Sequence, residues 1–162
     1  MVILGIDPGS TRVGYGLIKK EGREVVFLSS GILTITAEEK HERLLQLEKS
    51  FRLLLKKTRP DLAVMEKLFF VKNVKTGMGV AESRGILTLL IIQHRIPLLE
   101  LTPLEIKQSL TGYGKSDKAM MMRAVQKRLG ISKIQGGDDA ADGIAAALAG
   151  LTYPLRLKLT SL

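Results

Sequence analysis

The chain has 162 residues, 25 of them basic and 16 acidic, for a net charge of +9, and it contains no cysteine. Such a length suits one domain with a real core, and the lack of cysteine excludes disulfides, thiolate zinc sites and cysteine nucleophiles. The longest apolar stretch, Gly85 to Ile92, falls far short of the about 20 residues that cross a bilayer, so a soluble, cytoplasmic protein with no membrane attachment is expected.

In chain order, the apolar run Val2 to Asp7 predicts a short strand, and Val13 to Lys19 and Glu24 to Ile35 predict two more. Gly22 marks the turn between the last two, so the three form an antiparallel meander. Leu44, Leu47, Phe51 and Leu54 recur at helical spacing within Glu38 to Lys57, and Thr58-Arg59-Pro60 stops that helix. Leu62 to Met65 is a brief strand that ends at Glu66. Asn73 to His94 reads as a long helix, Ile96 to Leu101 as a strand, and Pro103 opens a short helix to about Leu110. Ser116 is a candidate N-cap for a helix to Leu129, and Gly136-Gly137 precede a last helix from Asp139 to Leu151. This order, β-β-β-α-β-α-β-α-α-α, implies an α/β fold with a mixed five-stranded sheet flanked by helices on both faces. Residues 1–151 are expected to form one domain, with 152–162 as a short C-terminal tail.

A small domain this basic usually meets polyanions, and no block of five like charges marks a polybasic tail. The acids carry the sharper signal. Asp7 closes one apolar strand and Glu66 closes another. If those strands are parallel neighbours, about 4.8 Å apart, their carboxylates stand side by side and repel, and a bound cation is the usual remedy. For Asp7 alone, turn chemistry before Pro8-Gly9 is an equal explanation. Residues 136–150 add Asp139 and Asp142, three apart on one side of a helix start. N-capping explains one acid there, Asp138 or Asp139, but explains Asp142 less well. The small residues behind them, from Ala140 to Ala149, let this helix lie close against a sheet. An all-oxygen donor set suits Mg²⁺ or Mn²⁺ rather than zinc, and on a basic protein it suggests phosphodiester chemistry.

Three stretches, GIDPGSTRVGYGLI, AVMEKLFFVKN and GDDAADGIAAALA, in this order and spacing, closely resemble the RuvC family of bacterial Holliday-junction resolvases to about residue 150. The resemblance implies a ribonuclease-H-like fold and a homodimer. Its activity would be Mg²⁺-dependent cutting of two strands of like polarity at a four-way DNA junction during recombination and repair. It also implies partnership with the RuvA and RuvB branch-migration proteins. Asp7, Glu66, Asp139 and Asp142 match the family's acids for two ions per subunit, with Asp7 bridging both and Mn²⁺ a possible substitute. One ion would activate the attacking water and the other stabilise the leaving oxyanion, giving a 5′-phosphate and a 3′-hydroxyl. Lys107 and Lys118 match family lysines that support cleavage. Asp138 is an extra acid, and Ala149-Gly150-Leu151 stands where the family often has a histidine.

Phe69 and Phe70 follow Glu66 closely in KLFFVKN. The resemblance gives Phe69 the role of stacking on a base at the opened crossover, whereas a plug into the core is the structural alternative, stronger for Phe70. Lys72 is expected at the DNA, and the remaining basic residues, Lys75 and Arg84 among them, are available to track the duplex arms without an individual role. The helix 73–94 is apolar on more than one side, and Gly77, Gly79, Ala81 and Gly85 permit close approach, so it is the expected dimer face. Rival readings are a related nuclease with another nucleic-acid substrate and a catalytically silent junction-binding module. An actin-like sugar kinase, which shares the first motif, needs a longer chain.

Overall fold

The computed structural model describes residues 1–67 and 74–153. Its elements are β1 (Val2–Asp7), β2 (Arg12–Glu21), β3 (Glu24–Thr34), α1 (Lys40–Thr58), β4 (Leu62–Glu66), α2 (Val74–Gln93), β5 (Leu98–Leu101), α3 (Pro103–Thr111), α4 (Lys118–Leu129) and α5 (Gly137–Ala149). The five strands form one mixed sheet in the order β3-β2-β1-β4-β5. β1–β2 and β2–β3 are antiparallel, as the meander predicts, and β1–β4 and β4–β5 are parallel. Gly22 takes the left-handed conformation, φ 60°, that the tight β2–β3 turn requires. No helix among the described residues is long and apolar enough to cross a membrane.

Side-chain alternation splits the core into two layers. Ile3, Ile18, Leu62, Val64, Leu99 and Leu101 point to α3, α4 and α5. Leu4, Ile6, Leu17, Ala63 and Met65 point the other way, to α1 and α2, where Leu47, Phe51, Leu55, Leu87, Leu90 and Ile91 fill the layer. Because β1 and β4 are covered on both faces, their sequences are apolar throughout rather than alternating.

Two expected helix starts, one helix end and one strand start differ. α4 is capped by Asp117, whose side chain accepts the Met120 N–H at 2.7 Å. Ser116 is 1 % exposed, and its hydroxyl is engaged by the Tyr113 carbonyl and the Thr111 hydroxyl. Burial therefore takes Ser116 out of the capping role. α5 starts at Gly137 with Gly136 as its N-cap, at φ 96° and with no side-chain cap bond. Asp138 and Asp139 consequently lie inside the first turn, where their charge favours the positive helix end without capping it. The last helix stops at Ala149 rather than Leu151, and the fifth strand starts at Leu98 because Ile96 and Pro97 lead into it.

Candidate active site

The parallel register pairs Ile6 with Met65, so Asp7 and Glu66, the last residues of β1 and β4, leave the sheet side by side. Each continues the row that faces α5: Asp7 follows Ile3 and Gly5, and Glu66 follows Leu62 and Val64. The parity of two short strands thus sends both carboxylates to one face.

α5 reaches them because glycines leave no Cβ at its closest approaches to β1 and β2. A Cβ at Gly5 would fall 2.0 Å from the Gly143 carbonyl oxygen, and one at Gly14 would fall 1.9 Å from that of Asp139. A Cβ at Gly16 would meet the Ile144 backbone at 2.5 Å, and one at Gly143 would lie 2.8 Å from the Tyr15 backbone. Helix and strands touch backbone to backbone, and the contact at Gly14 sets Asp139 directly over β2.

The electrostatics follow from this crowding. Burial first, then the charges of Asp142, Glu66 and Asp139, push Asp7 from an ordinary 3.8 up to about 7, with Lys118 opposing. Burial and Asp142 raise Glu66, against the pull of Lys107. Burial also raises Asp142, while Lys118 lowers it and Asp138 and Asp139 raise it. Asp7, Glu66, Asp139 and Asp142 are therefore one electrostatic unit, with Lys107 and Lys118 at its border.

Cations of the chain already engage part of this unit. Arg12 Nε donates to Asp139 Oδ2 at 2.7 Å, and Lys118 Nζ lies 3.5 Å from Asp138 Oδ2 and 3.6 Å from Asp142 Oδ2. No three His, Asp or Glu side chains among the described residues come together as a ready metal cage. The donor chemistry nevertheless fits a hard divalent cation. All donors are carboxylate oxygens, and the neighbouring charges that add to burial in raising Asp7 are what such an ion would neutralise. Beside these acids a cavity of about 250 Å³ opens between α4 and α5, lined by Lys118, Met121, Met122, Asp138 and Asp142 among others.

Phe69, Phe70 and Lys72 lie outside the described residues, as does the side chain of Lys75. Arg84, one of the cations available to the duplex arms, is engaged within the chain instead. Its side chain is only 17 % exposed, pairs with Glu100 on β5, and donates from Nη1 to the Glu66 carbonyl at 3.0 Å. The sequence does carry a signal for this: Arg84 is a lone cation opening the apolar run Gly85 to Ile92. Arg12 was equally missed, although it sits inside the first motif.

A mixed sheet in this order, with carboxylates at the exits of two parallel central strands and on a helix laid across them, defines a ribonuclease-H-like nuclease. The family model for crossover junction endodeoxyribonuclease RuvC matches residues 3–150. The RuvC proteins of Petrotoga mobilis and Thermosipho melanesiensis are 41% and 42% identical over 148 residues, covering 91% of this chain and 91% and 94% of theirs. Thermus thermophilus RuvC, solved in complex with a Holliday junction substrate, superposes with a TM-score of 0.85 at 26% identity, over 92% of each chain. The chain belongs to the RuvC family of crossover junction endodeoxyribonucleases.

Proposed function

We propose that this chain resolves four-way DNA junctions in the cytoplasm by hydrolysing one phosphodiester bond in each of two strands of like polarity, as a homodimer with one acidic site per subunit. The observation that carries the reading is the burial of Asp7 at a strand exit beside Asp142, Glu66 and Asp139, where burial first and those charges second lift it to about 7. A surface salt-bridge network does not bury unneutralised acids against one another. Asp7, Glu66, Asp139 and Asp142 would hold the metal, with Mg²⁺ as the ion, two per subunit. When bound, such ions supply a more acidic attacking water and neutralise charge on the leaving oxygen, which leaves a 5′-phosphate and a 3′-hydroxyl.

The chain's own residues do the rest. Lys107 acts on Glu66 and Lys118 on Asp142, so both stand where a scissile phosphate must approach the acids. The Lys118 and Arg12 side chains are 72% and 56% exposed, so exchanging a carboxylate for a phosphate costs them little. Phe69 stacks on a base at the opened crossover, a contact worth about 1–3 kcal/mol, with Phe70 and Lys72 beside the DNA. The arms meet the basic surface, whose net charge of +9 favours phosphate.

The second subunit packs on α2, with Met78, Leu89 and Ile92 of that helix and Leu53 of α1 between 43% and 60% exposed. Gly77 and Gly85 have open space around them, whereas Gly79 is used within the chain, against Ser10. The branch-migration proteins RuvA and RuvB are the functional partners. The test is to incubate the protein with a mobile four-way junction, a matching linear duplex and Mg²⁺, and to map the nicks. Symmetric nicks in the junction alone are expected. Equal cutting of the duplex, or tight junction binding without cutting, would overturn the reading.

A further inference from the structure

The acids of the α5 face have a support on the opposite face of the sheet. We propose that Arg84 is a positioning residue for Glu66, held in place by Glu100; this rests on the reading of Glu66 as a metal-holding acid. Glu66 is the last residue of β4, where β5 already holds the chain through the Glu66–Leu101 pair and the Lys67 N–H to the Leu101 carbonyl at 2.7 Å. The Glu66 carbonyl is a further point at which the strand end can be fixed. Arg84, on α2, fixes it: Nη1 donates to the Glu66 carbonyl at 3.0 Å while Nη2 pairs with the carboxylate of Glu100 on β5. One planar guanidinium thus ties α2, the exit of β4 and the neighbouring strand together. A lysine could not span both acceptors in this way.

The environment makes the tie firm. The Arg84 side chain is 17 % exposed, so losing either acceptor would strand a largely desolvated charge. The same helix also reaches the turn after Asp7, where a Cβ at Gly79 would lie 3.0 Å from the Ser10 Cβ. α2 therefore braces both strand exits that carry the acids. The Lys40–Glu82 pair, 2.7 Å, joins α2 to the start of α1 and touches neither exit.

Mn²⁺ binding to the purified protein, followed by electron paramagnetic resonance alongside the melting temperature and junction affinity, separates positioning from plain stability. Glu66→Gln, Arg84→Lys, Arg84→Met, Glu100→Gln and, as a control, Lys40→Met are compared. Arg84→Met and Glu100→Gln should each weaken Mn²⁺ binding by about tenfold or more, with junction affinity retained, as loss of a partner that orients a metal ligand does. Arg84→Lys should recover the melting temperature better than the Mn²⁺ affinity. Lys40→Met should move only the melting temperature. Wild-type Mn²⁺ affinity in folded Glu100→Gln and Arg84→Lys, with Glu66→Gln weakened, would overturn the positioning role alone. Wild-type affinity in Glu66→Gln would overturn the acid-site reading and this proposal with it.

Discussion

The two faces of the sheet meet their helices differently. Toward α1 and α2 the layer is made of large side chains, with Phe51, Leu47, Leu55, Leu87 and Ile91 all but inaccessible. Toward α5 the contact runs through Gly5, Gly14, Gly16 and Gly143, with alanines filling the helix. The first kind of contact stabilises, since each large apolar side chain buried contributes about 1.5–3 kcal/mol. The second layer also buries large side chains, among them Ile3, Ile18, Val64 and Ile144, but where α5 comes closest to β1 and β2 the glycines leave no slack. The glycine contacts set the height of α5 over the strands, and with it the placement of Asp139 and Asp142. Site geometry thus draws on one face, and stability on both.

The comparison breaks first if an acid on the α5 face is dispensable. Asp7→Asn and Glu66→Gln should each cut junction cleavage by orders of magnitude while junction binding persists, because a metal-holding carboxylate is lost and repulsion of phosphate falls. Single-turnover cleavage with a parallel gel-shift titration measures both, and wild-type cutting in either variant would remove the site assignment. A sharper version swaps the faces. Gly14→Ala brings a methyl against the Asp139 carbonyl and should lower cleavage by at least about tenfold, with an overpacking cost of about 1–3 kcal/mol. Phe51→Ala should cost more stability, about 3–5 kcal/mol, yet retain cutting below its lowered melting temperature. Urea unfolding with cleavage at low temperature compares them, and equal loss of activity per unit of stability would show that the faces do not divide the work.

A smaller effect appears with pH in the metal-free protein. Asp7 is raised from 3.8 to about 7 on folding, so between those values the folded chain holds a proton that the unfolded chain has released. Stability therefore falls as pH rises through that window, and Glu66 and Asp142, also raised, act with the same sign. Asp7→Asn should gain melting temperature relative to the wild type on going from pH 5 to pH 8. A constant difference between the two proteins across that range would show that Asp7 is not buried among unneutralised acids.

Much of this was legible because it is local. Strand exits at Asp7 and Glu66 follow from apolar runs ending in an acid, and all ten elements stand in the expected order. The parallel pairing that joins those exits was a condition in the sequence and is a fact in the sheet. What stayed hidden depends on contacts between distant segments. Ser116 and Asp117 are both good caps by residue type, and only the burial of Ser116 decides between them. Arg12 and Asp139 are 127 residues apart, a distance no periodicity spans. Arg84 looked like one more surface cation because nothing in the helix pattern shows that its side meets Glu100 and the end of β4.

The smallest effect separates the adjacent acids Asp138 and Asp139. In a helix, Asp138 and Asp139 stand about 40° and about 60° from Asp142, so either could share its side. The sheet decides: Asp139 sits over Gly14, its side chain 35% exposed and paired with Arg12, whereas that of Asp138 is 68% exposed and only loosely engaged by Lys118. Because Gly136 is the N-cap, Asp138 contributes no cap bond that Asn would need to replace. Asp138→Asn removes a charge that raises Asp142 and that holds Lys118. These losses act in opposite directions on the site, so cleavage should stay within about threefold of wild type, a shift of under 1 kcal/mol in the barrier. Asp139→Asn, by contrast, should lose cleavage by orders of magnitude and release Arg12. Measured side by side at saturating Mg²⁺, the reverse ranking would mean that the first turn of α5 presents its other acid to the metal.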